Sequence, residues 1–294
     1  MKKIMYPLLA VVFLLNACQA KQATEPTEAP STEPSEAETP DNVYHFEFPN
    51  FEMWTLQDKQ SSMSASLFPN VDNEILQKIM PTGEAESAIN VFLIHKDGKY
   101  VLFDTGLGSE SGGQLLSNLS SINLTPADID IICLTHCHRD HIGGLVAHDT
   151  AVFPKAEVWL SNQELAASRK DEPMRKILNL YGFRVHSFMM GDSLADFIET
   201  IDAIGHTPGH TVYKIGQVLI IGDVIHAAAL QIPYPEYCAV YDNNAGEAIV
   251  TRKHIYKMLQ DADLYAAGMH LPKSGVMHNF NLIFDTNIKA CESW

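Results

Sequence analysis

Residues 134–144 read LTHCHRDHIGG. His136, His138, Asp140 and His141 fall within six positions, directly after the apolar run IDIICL of residues 129–134. In extended chain, alternate side chains point the same way, so His136 and His138 face one point as the chain leaves a strand. Asp140 and His141 follow after one bend, and Gly143-Gly144 permits close packing behind them. Imidazole and carboxylate are ordinary zinc ligands. Four such groups converging from one loop are costly to bury without a cation. The bland alternative is a solvated polar loop.

Outward from this stretch, the chain divides by composition. It opens MKKIMYPLLAVVFLLNACQAK, with a basic start at Lys2-Lys3 and an apolar run from Ile4 to Leu15. That run is too short to span a bilayer as a mature helix and has the proportions of an export signal. Leu15-Asn16-Ala17-Cys18 resembles a bacterial lipoprotein signal. The expectation is a signal over 1–17 and a lipid on Cys18 that anchors an exported protein to the cell envelope. Residues 18–42 are rich in Pro, Glu and Thr and lack aromatic and large aliphatic side chains. Such a segment cannot bury enough apolar surface to order itself, and is read as a disordered tether. Residues 43–294 are mixed and periodic, as expected of one large domain. The net charge of −16 counts against a nucleic-acid partner, whose usual footprint is a basic groove. Cys133, Cys137, Cys238 and Cys291 do not have the spacing of a small disulfide scaffold, and no essential disulfide is expected.

Within the domain, 44–48 and 51–56 read as a strand pair, and 90–95 and 100–104 as strands around a turn at 96–99. Further strands are expected at 129–134, 156–160, 200–204, 213–214, 217–221 and 264–267. Short helices are expected from Gly113 and after Ser161, an N-cap with Glu164 three residues on. A long helix is expected over 245–260, with Ala248, Ile255 and Leu259 on one face. Paired strands with helices between the groups predict two sheets covered by helices. Residues 57–89 read as an apolar insertion, carrying Leu67, Phe68, Ile75, Ile79 and Met80, that caps a pocket or joins a second copy in a homodimer. Trp54 and Trp159 read as core residues, and His278 as a surface residue.

Four other stretches carry chemistry: FDTG (103–106), GHTPGHT (205–211), IIGDVIH (220–226) and AAGMHLPKSG (266–275). THCHRDHIGG, followed and preceded by these in order, resembles the signature of the metallo-β-lactamase superfamily over nearly all of 43–294. The resemblance implies an α/β fold, an αββα sandwich of two β-sheets with helices on the outer faces. It implies two Zn2+, with Mn, Fe or Co able to occupy the same cage. One metal takes His136, His138 and His210, with His206 left structural; the other takes Asp140, His141 and His270. Asp223 bridges them, and Asp104 supports the ligands from behind. A metal-bridging hydroxide attacks the substrate, Asp140 moves the proton, and His226 contacts the substrate oxygen or packs behind the ligands.

The Asp at 223 counts against β-lactam hydrolysis within this family. The glyoxalase II branch carries a further helical region that residues 271–294 do not supply. The run from Gly222 to Leu259 is most similar to methyl parathion hydrolases and related lactonases. Lys273-Ser274 departs from the family pattern and alters the expected pocket rim. The reading is a dinuclear zinc hydrolase acting on a small-molecule ester, lactone or phosphotriester. The alternatives are a β-lactam or thioester hydrolase of the same fold, or a non-catalytic metal-binding lipoprotein.

Overall fold

The computed structural model describes residues 41–284 and the backbone of 287–289. The signal, Cys18, nearly all of the tether and Cys291 lie outside the described residues. The chain starts with β1 (Val43–Phe48), β2 (Phe51–Ser64), α1 (Asn73–Ile79), β3 (Glu84–Lys96), β4 (Lys99–Phe103), α2 (Leu115–Ser121) and β5 (Ile131–Cys133). After α3 (Arg139–Ile142), a small hairpin of β6 (Val146–Ala147) and β7 (Thr150–Ala151) stands apart. Next come β8 (Glu157–Ser161), α4 (Asn162–Ser168), α5 (Glu172–Tyr181) and β9 (Val185–Phe188). The second half holds β10 (Ser193–Leu194), β11 (Ile198–Asp202), β12 (Thr211–Ile215), β13 (Val218–Gly222), α6 (Ala228–Gln231) and α7 (Ala245–Asp261). It ends with β14 (Tyr265–Gly268), β15 (Val276–His278), β16 (Asn281–Leu282) and β17 (Asn287–Lys289).

These strands make two sheets, ordered β17-β1-β2-β3-β4-β5-β8-β9 and β10-β11-β12-β13-β14-β15-β16. Strand periodicity sorts the side chains into layers. Phe92 and Ile94 of β3 face Tyr213, Ile215, Val218 and Ile220 of the other sheet in a core between the sheets. Val91 and Leu93, one residue out of phase, pack outward with Leu119 of α2 and Ile177 of α5. The second sheet turns Leu219 and Ile221 outward onto Ile255 and Leu259 of α7. The result is the helix–sheet–sheet–helix sandwich expected from the sequence.

The pairings decide where the site lies. β4 and β5 run parallel, as do β13 and β14. Asp104, the Thr135-His136 loop, Asp223 and His270 each follow the carboxyl end of one of these strands. Crevices at such ends are where open α/β sheets bind ligands.

Residues 57–89 correct the sequence reading. β2 continues to Ser64 and β3 begins at Glu84, pairing Ser64 with Glu84. A register shift between Gln57 and Lys59 broke the alternation that would have revealed the longer strand. Asp58 at the shift is buried and accepts hydrogen bonds from the Leu107 and Leu115 amides, both at 2.8 Å. Only 65–83 is an insertion. Its Phe68 and Met80 are buried against Ala227, Leu230 and Ala239.

Trp54 and Trp159 pack on the core clusters and stack on His45 and His186. His278 pairs with Asp263 and stacks on Tyr265. Among the described residues no helix is long and apolar enough to cross a membrane. Cys133, Cys137 and Cys238 are free. Burial drives the Cys133 and Cys137 thiols well above their ordinary value, and Asp104 and Glu164 add to it. A thiolate is the reactive form. Both thiols should therefore resist a chromogenic disulfide reagent in the folded chain and react after urea unfolding, as counted by absorbance.

Candidate metal centre

The centre is assembled from loops whose backbones are locked together. Asp104 has φ of 61°, a conformation that costs a non-glycine residue energy and that clusters at functional sites. From it, Oδ1 accepts the Thr135 amide at 2.7 Å, while Oδ2 accepts the Thr135 hydroxyl and faces His141 Nδ1, each at 2.7 Å. This fixes the His141 ring and turns its Nε2 inward. Gly143 and Gly144 pass so close to the Leu107 and Thr105 carbonyl oxygens that an added Cβ would lie 2.2 and 2.1 Å from them.

Glu164 makes a second lock. Ser161 caps α4 by accepting the Glu164 amide at 3.0 Å, as the sequence predicts. The Glu164 carboxylate, 3% exposed, accepts instead from the Cys137 amide at 2.9 Å, the Thr207 hydroxyl at 2.7 Å and the Gly209 amide at 3.1 Å. One anion thus ties the 135–141 loop to the 205–211 loop.

Among the described residues three groups of potential ligands result, the third of His206, His226 and Asp242, and the first two reach the cleft. In the first, His206 Nε2 lies 3.2 Å from His136 Nε2, 3.0 Å from His138 Nδ1 and 3.2 Å from Asp223 Oδ2. His136 Nε2 and His138 Nδ1 are 3.0 Å apart. Tetrahedral zinc with bonds of about 2.1 Å has ligand–ligand edges of roughly 3.4 Å, so these spacings fit one ion. In the second, His141 Nε2 is 3.8 Å from Asp140 Oδ1, and His270 Nε2 is 3.6 Å from Asp140 Oδ2. Asp223 reaches both clusters, with Oδ1 3.2 Å from His141 and Oδ2 3.2 Å from His270 and His206. His141 Nε2 and Asp223 Oδ1 are buried without a hydrogen-bond partner, which is costly unless a cation meets them. The donor set and these unmet atoms fit a pair of divalent metals sharing Asp223.

The histidine assigned from GHTPGHT is corrected by this geometry. His210 does not join the first cluster; His206 does. Both His210 nitrogens are engaged elsewhere: Nε2 accepts the Asp223 amide at 2.9 Å, and Nδ1 donates to the Ala203 carbonyl at 3.2 Å. His210 therefore props Asp223 from behind. Gly222 leaves room for it, since an added Cβ would lie 2.4 Å from His210 Nε2.

His226 packs against the centre from the buried side. It is 1% exposed, with Nε2 3.4 Å from Asp223 Oδ2, and does not line the cleft. The cleft, about 460 Å³, is lined by Met63, Leu67, Ile89, His138, Asp140, Asp223, Tyr241 and His270 among others. Lys273 lies outside it, beside another hollow, with its ammonium 4.1 Å from the centre of the Phe284 ring. The altered Lys273-Ser274 therefore does not reshape this wall. In the sequence Glu164 signals only the capping partner of Ser161, and nothing local marks Tyr241.

Removing the Glu164 carboxylate strands three buried donors. Glu164→Ala should destabilise the chain by about 3 kcal/mol in urea unfolding. Without metal, charge balance in the centre sets a pH optimum of stability. Burial lowers His138 to about 4 and His210 to about 3, from an ordinary 6.5. Stability from keeping these rings neutral is full above 6.5 and lost as pH falls toward those values. Burial opposes charge on His206, but Asp223 and Asp242 outweigh it and raise it to about 9. Its contribution is full below 6.5 and lost as pH rises through 9. The melting temperature of chelated protein should fall on the acid side below 6.5, and His206→Asn should flatten the alkaline decline.

The signature described as the metallo-beta-lactamase superfamily matches residues 85–262. The hydroxyacylglutathione hydrolase of Serratia proteamaculans (strain 568) is 32% identical over 136 residues, 46% of each chain. The chain spans about half the length of the curated relatives it matches. The crystal structure of AbOPH, a hydrolase of the beta-lactamase superfamily, superposes with a TM-score of 0.73 at 28% identity, covering 81% of this chain and 92% of that one. AidC, a dizinc quorum-quenching lactonase bound to a homoserine product, gives 0.72 at 26% identity, over 80% and 93% of the two chains. The match over residues 85–262 covers more than half of the chain and takes in the loops of His136 to His141, His206 and Asp223: the chain belongs to the metallo-beta-lactamase superfamily.

Proposed function

We propose that the protein is a dinuclear zinc hydrolase of a small ester or lactone, with phosphotriesters as a related class. The observation that carries this reading is Asp223, shared by two histidine clusters on the floor of an open cleft. When bound, the metals supply an activated water and polarise the scissile carbonyl or phosphoryl oxygen. The protein residues do the rest. Asp140 is 28% exposed at its side chain and lines the cleft, placed to take the proton from the attacking water. His210 holds Asp223 in register from the buried side. Met63, Leu67 and Ile89 make an apolar wall that excludes bulk water from the bound substrate.

A second cavity of about 590 Å³ adjoins the cleft across Ile89, Arg139 and Asp140, and includes Leu107, Ile142, Val146 and Ile177 in its wall. With Glu110, Arg139, Glu172 and Lys176 also in its lining, it suits an amphipathic arm of a substrate whose reacting bond sits at the metals. The lactonase neighbour supports a lactone as substrate. The hydroxyacylglutathione hydrolase relative supports a thioester as the second reading. The insertion over 65–83 is proposed as a cap on this cleft, through Leu67. Export and lipid attachment at Cys18 are proposed from the sequence pattern, and would hold the enzyme at the cell envelope.

The test is a panel of acyl-homoserine lactones, aryl esters, aryl phosphotriesters, a thioester and a β-lactam, with the full zinc-loaded chain. Turnover of a lactone or ester is expected, falling by about a thousandfold or more in Asp223→Ala. A flat panel from protein with both metals bound overturns the reading.

A further inference from the structure

Each metal-facing histidine needs something behind it to fix its tautomer, and the partners differ. His270 Nδ1 donates to the Ala88 carbonyl at 2.9 Å, and His136 Nδ1 faces the Thr135 hydroxyl at 3.1 Å. Among the described residues, two of these rings have a carboxylate behind them. His141 has Asp104 at 2.7 Å, and His206 has Asp242 Oδ1 at 2.9 Å from its Nδ1. These two rings belong to different clusters.

Asp242 is itself held by a buried cation. Its side chain is 1% exposed, and its Oδ2 lies 3.5 Å from an Arg252 nitrogen. Arg252 is 1% exposed on the face of α7 that otherwise buries Ala248, Ile255 and Leu259. Its Nε donates to the Val224 carbonyl at 2.7 Å, next to Asp223. Another of its nitrogens donates to the carbonyls of Pro235 and Tyr237, at 2.8 and 3.0 Å. The following residues grip the His206 backbone. The Asn243 amide donates to the His206 carbonyl at 3.1 Å, and the Asn244 amide to the Gly205 carbonyl at 2.8 Å. Gly205 sits so close to α7 that an added Cβ would lie 2.2 Å from the Ala248 nitrogen.

We infer that Asp242, set in place by Arg252, is the positioning residue for the metal that His136, His138 and His206 would hold. Asp242 keeps the proton of His206 on Nδ1, so Nε2 meets the metal as a free donor, and its charge strengthens that donor. The centre then carries two independent carboxylate–histidine supports, one for each metal. Arg252 binds Asp242 and the Val224 carbonyl together, and so sets the spacing between His206 and the shared Asp223. A plain structural ion pair would stabilise the fold without favouring either metal.

This inference rests on the two-metal reading, and its test reads metal binding without substrate. Asp242→Asn keeps the side-chain shape and an acceptor oxygen but deletes the charge. The full chain is titrated with cadmium-113, and two resonances are followed by NMR. Asp242→Asn should weaken one binding step ten- to a hundredfold, with the other changed less than threefold. Asp104→Asn should weaken the opposite resonance. If Asp242→Asn fails to fold by circular dichroism, Arg252→Lys replaces it, and the same one-sided loss is expected. Equal losses at both resonances, no loss, or loss of the same resonance in Asp242→Asn and Asp104→Asn would overturn the inference. A native chain that binds no cadmium would instead remove the two-metal reading beneath it.

Discussion

Everything in this protein is arranged around the cost of crowding imidazole nitrogens against one another. Three of them approach within 3.2 Å in the first cluster, where their protons cannot all find acceptors. Asp223 sits between this trio and a second cluster, and its carboxylate reaches both. A shared anion relieves repulsion between two cations, and it must be held in place to reach both clusters. That requirement explains the investment in buried support: His210 against the Asp223 amide, Arg252 against the Val224 carbonyl, and Gly222 where no side chain fits.

The sandwich supplies that rigidity. Each contributing loop leaves the end of a strand whose neighbours are paired on both sides, in the interior of one sheet or the other. The intersheet core of Phe92, Phe103, Tyr213 and Ile220 fixes the distance between the two sheets. The Tyr213 hydroxyl donates across that gap to the Leu134 carbonyl at 2.6 Å, just before the ligand loop. Packing deep in the core therefore reaches the metal ligands through one hydrogen bond.

Much of this was legible in the sequence because the motifs are local. His136, His138, Asp140 and His141 share one loop, and Asp223 and His270 each follow an apolar strand, so their convergence needed no long-range knowledge. GHTPGHT was ambiguous for a physical reason. It offers two histidines four residues apart, and only the path of the chain decides which ring faces the metals and which faces the backbone of Gly222-Asp223. Glu164 was visible as a helix cap, but its carboxylate serves contacts forty and more residues away. Arg252 could be read from the Ala-x-x-Thr-Arg pattern as a packing residue, but not as a buried partner of Asp242, because a charged residue on the buried face of a helix contradicts the periodicity used to find that face. The extent of β2 was hidden by the register shift at Asp58, beyond which KQSS carries no apolar alternation.

The glycine contacts between the 104–108 and 143–144 loops have a consequence for how this cleft can diversify. An added Cβ on Gly108 or Gly143 would lie within 2.4 Å of the opposing backbone, so neither loop can change sequence or shift alone. The side of the cleft beneath Asp140 is in effect fixed scaffolding. The opposite side is built from Met63, Leu67 and Tyr241, on a hairpin arm and a surface loop joined by the Val240–Leu67 backbone bond at 2.9 Å. Substitutions there leave the metal ligands untouched. New substrate preferences in descendants of this protein should accumulate on that half of the rim, while the other half stays nearly invariant.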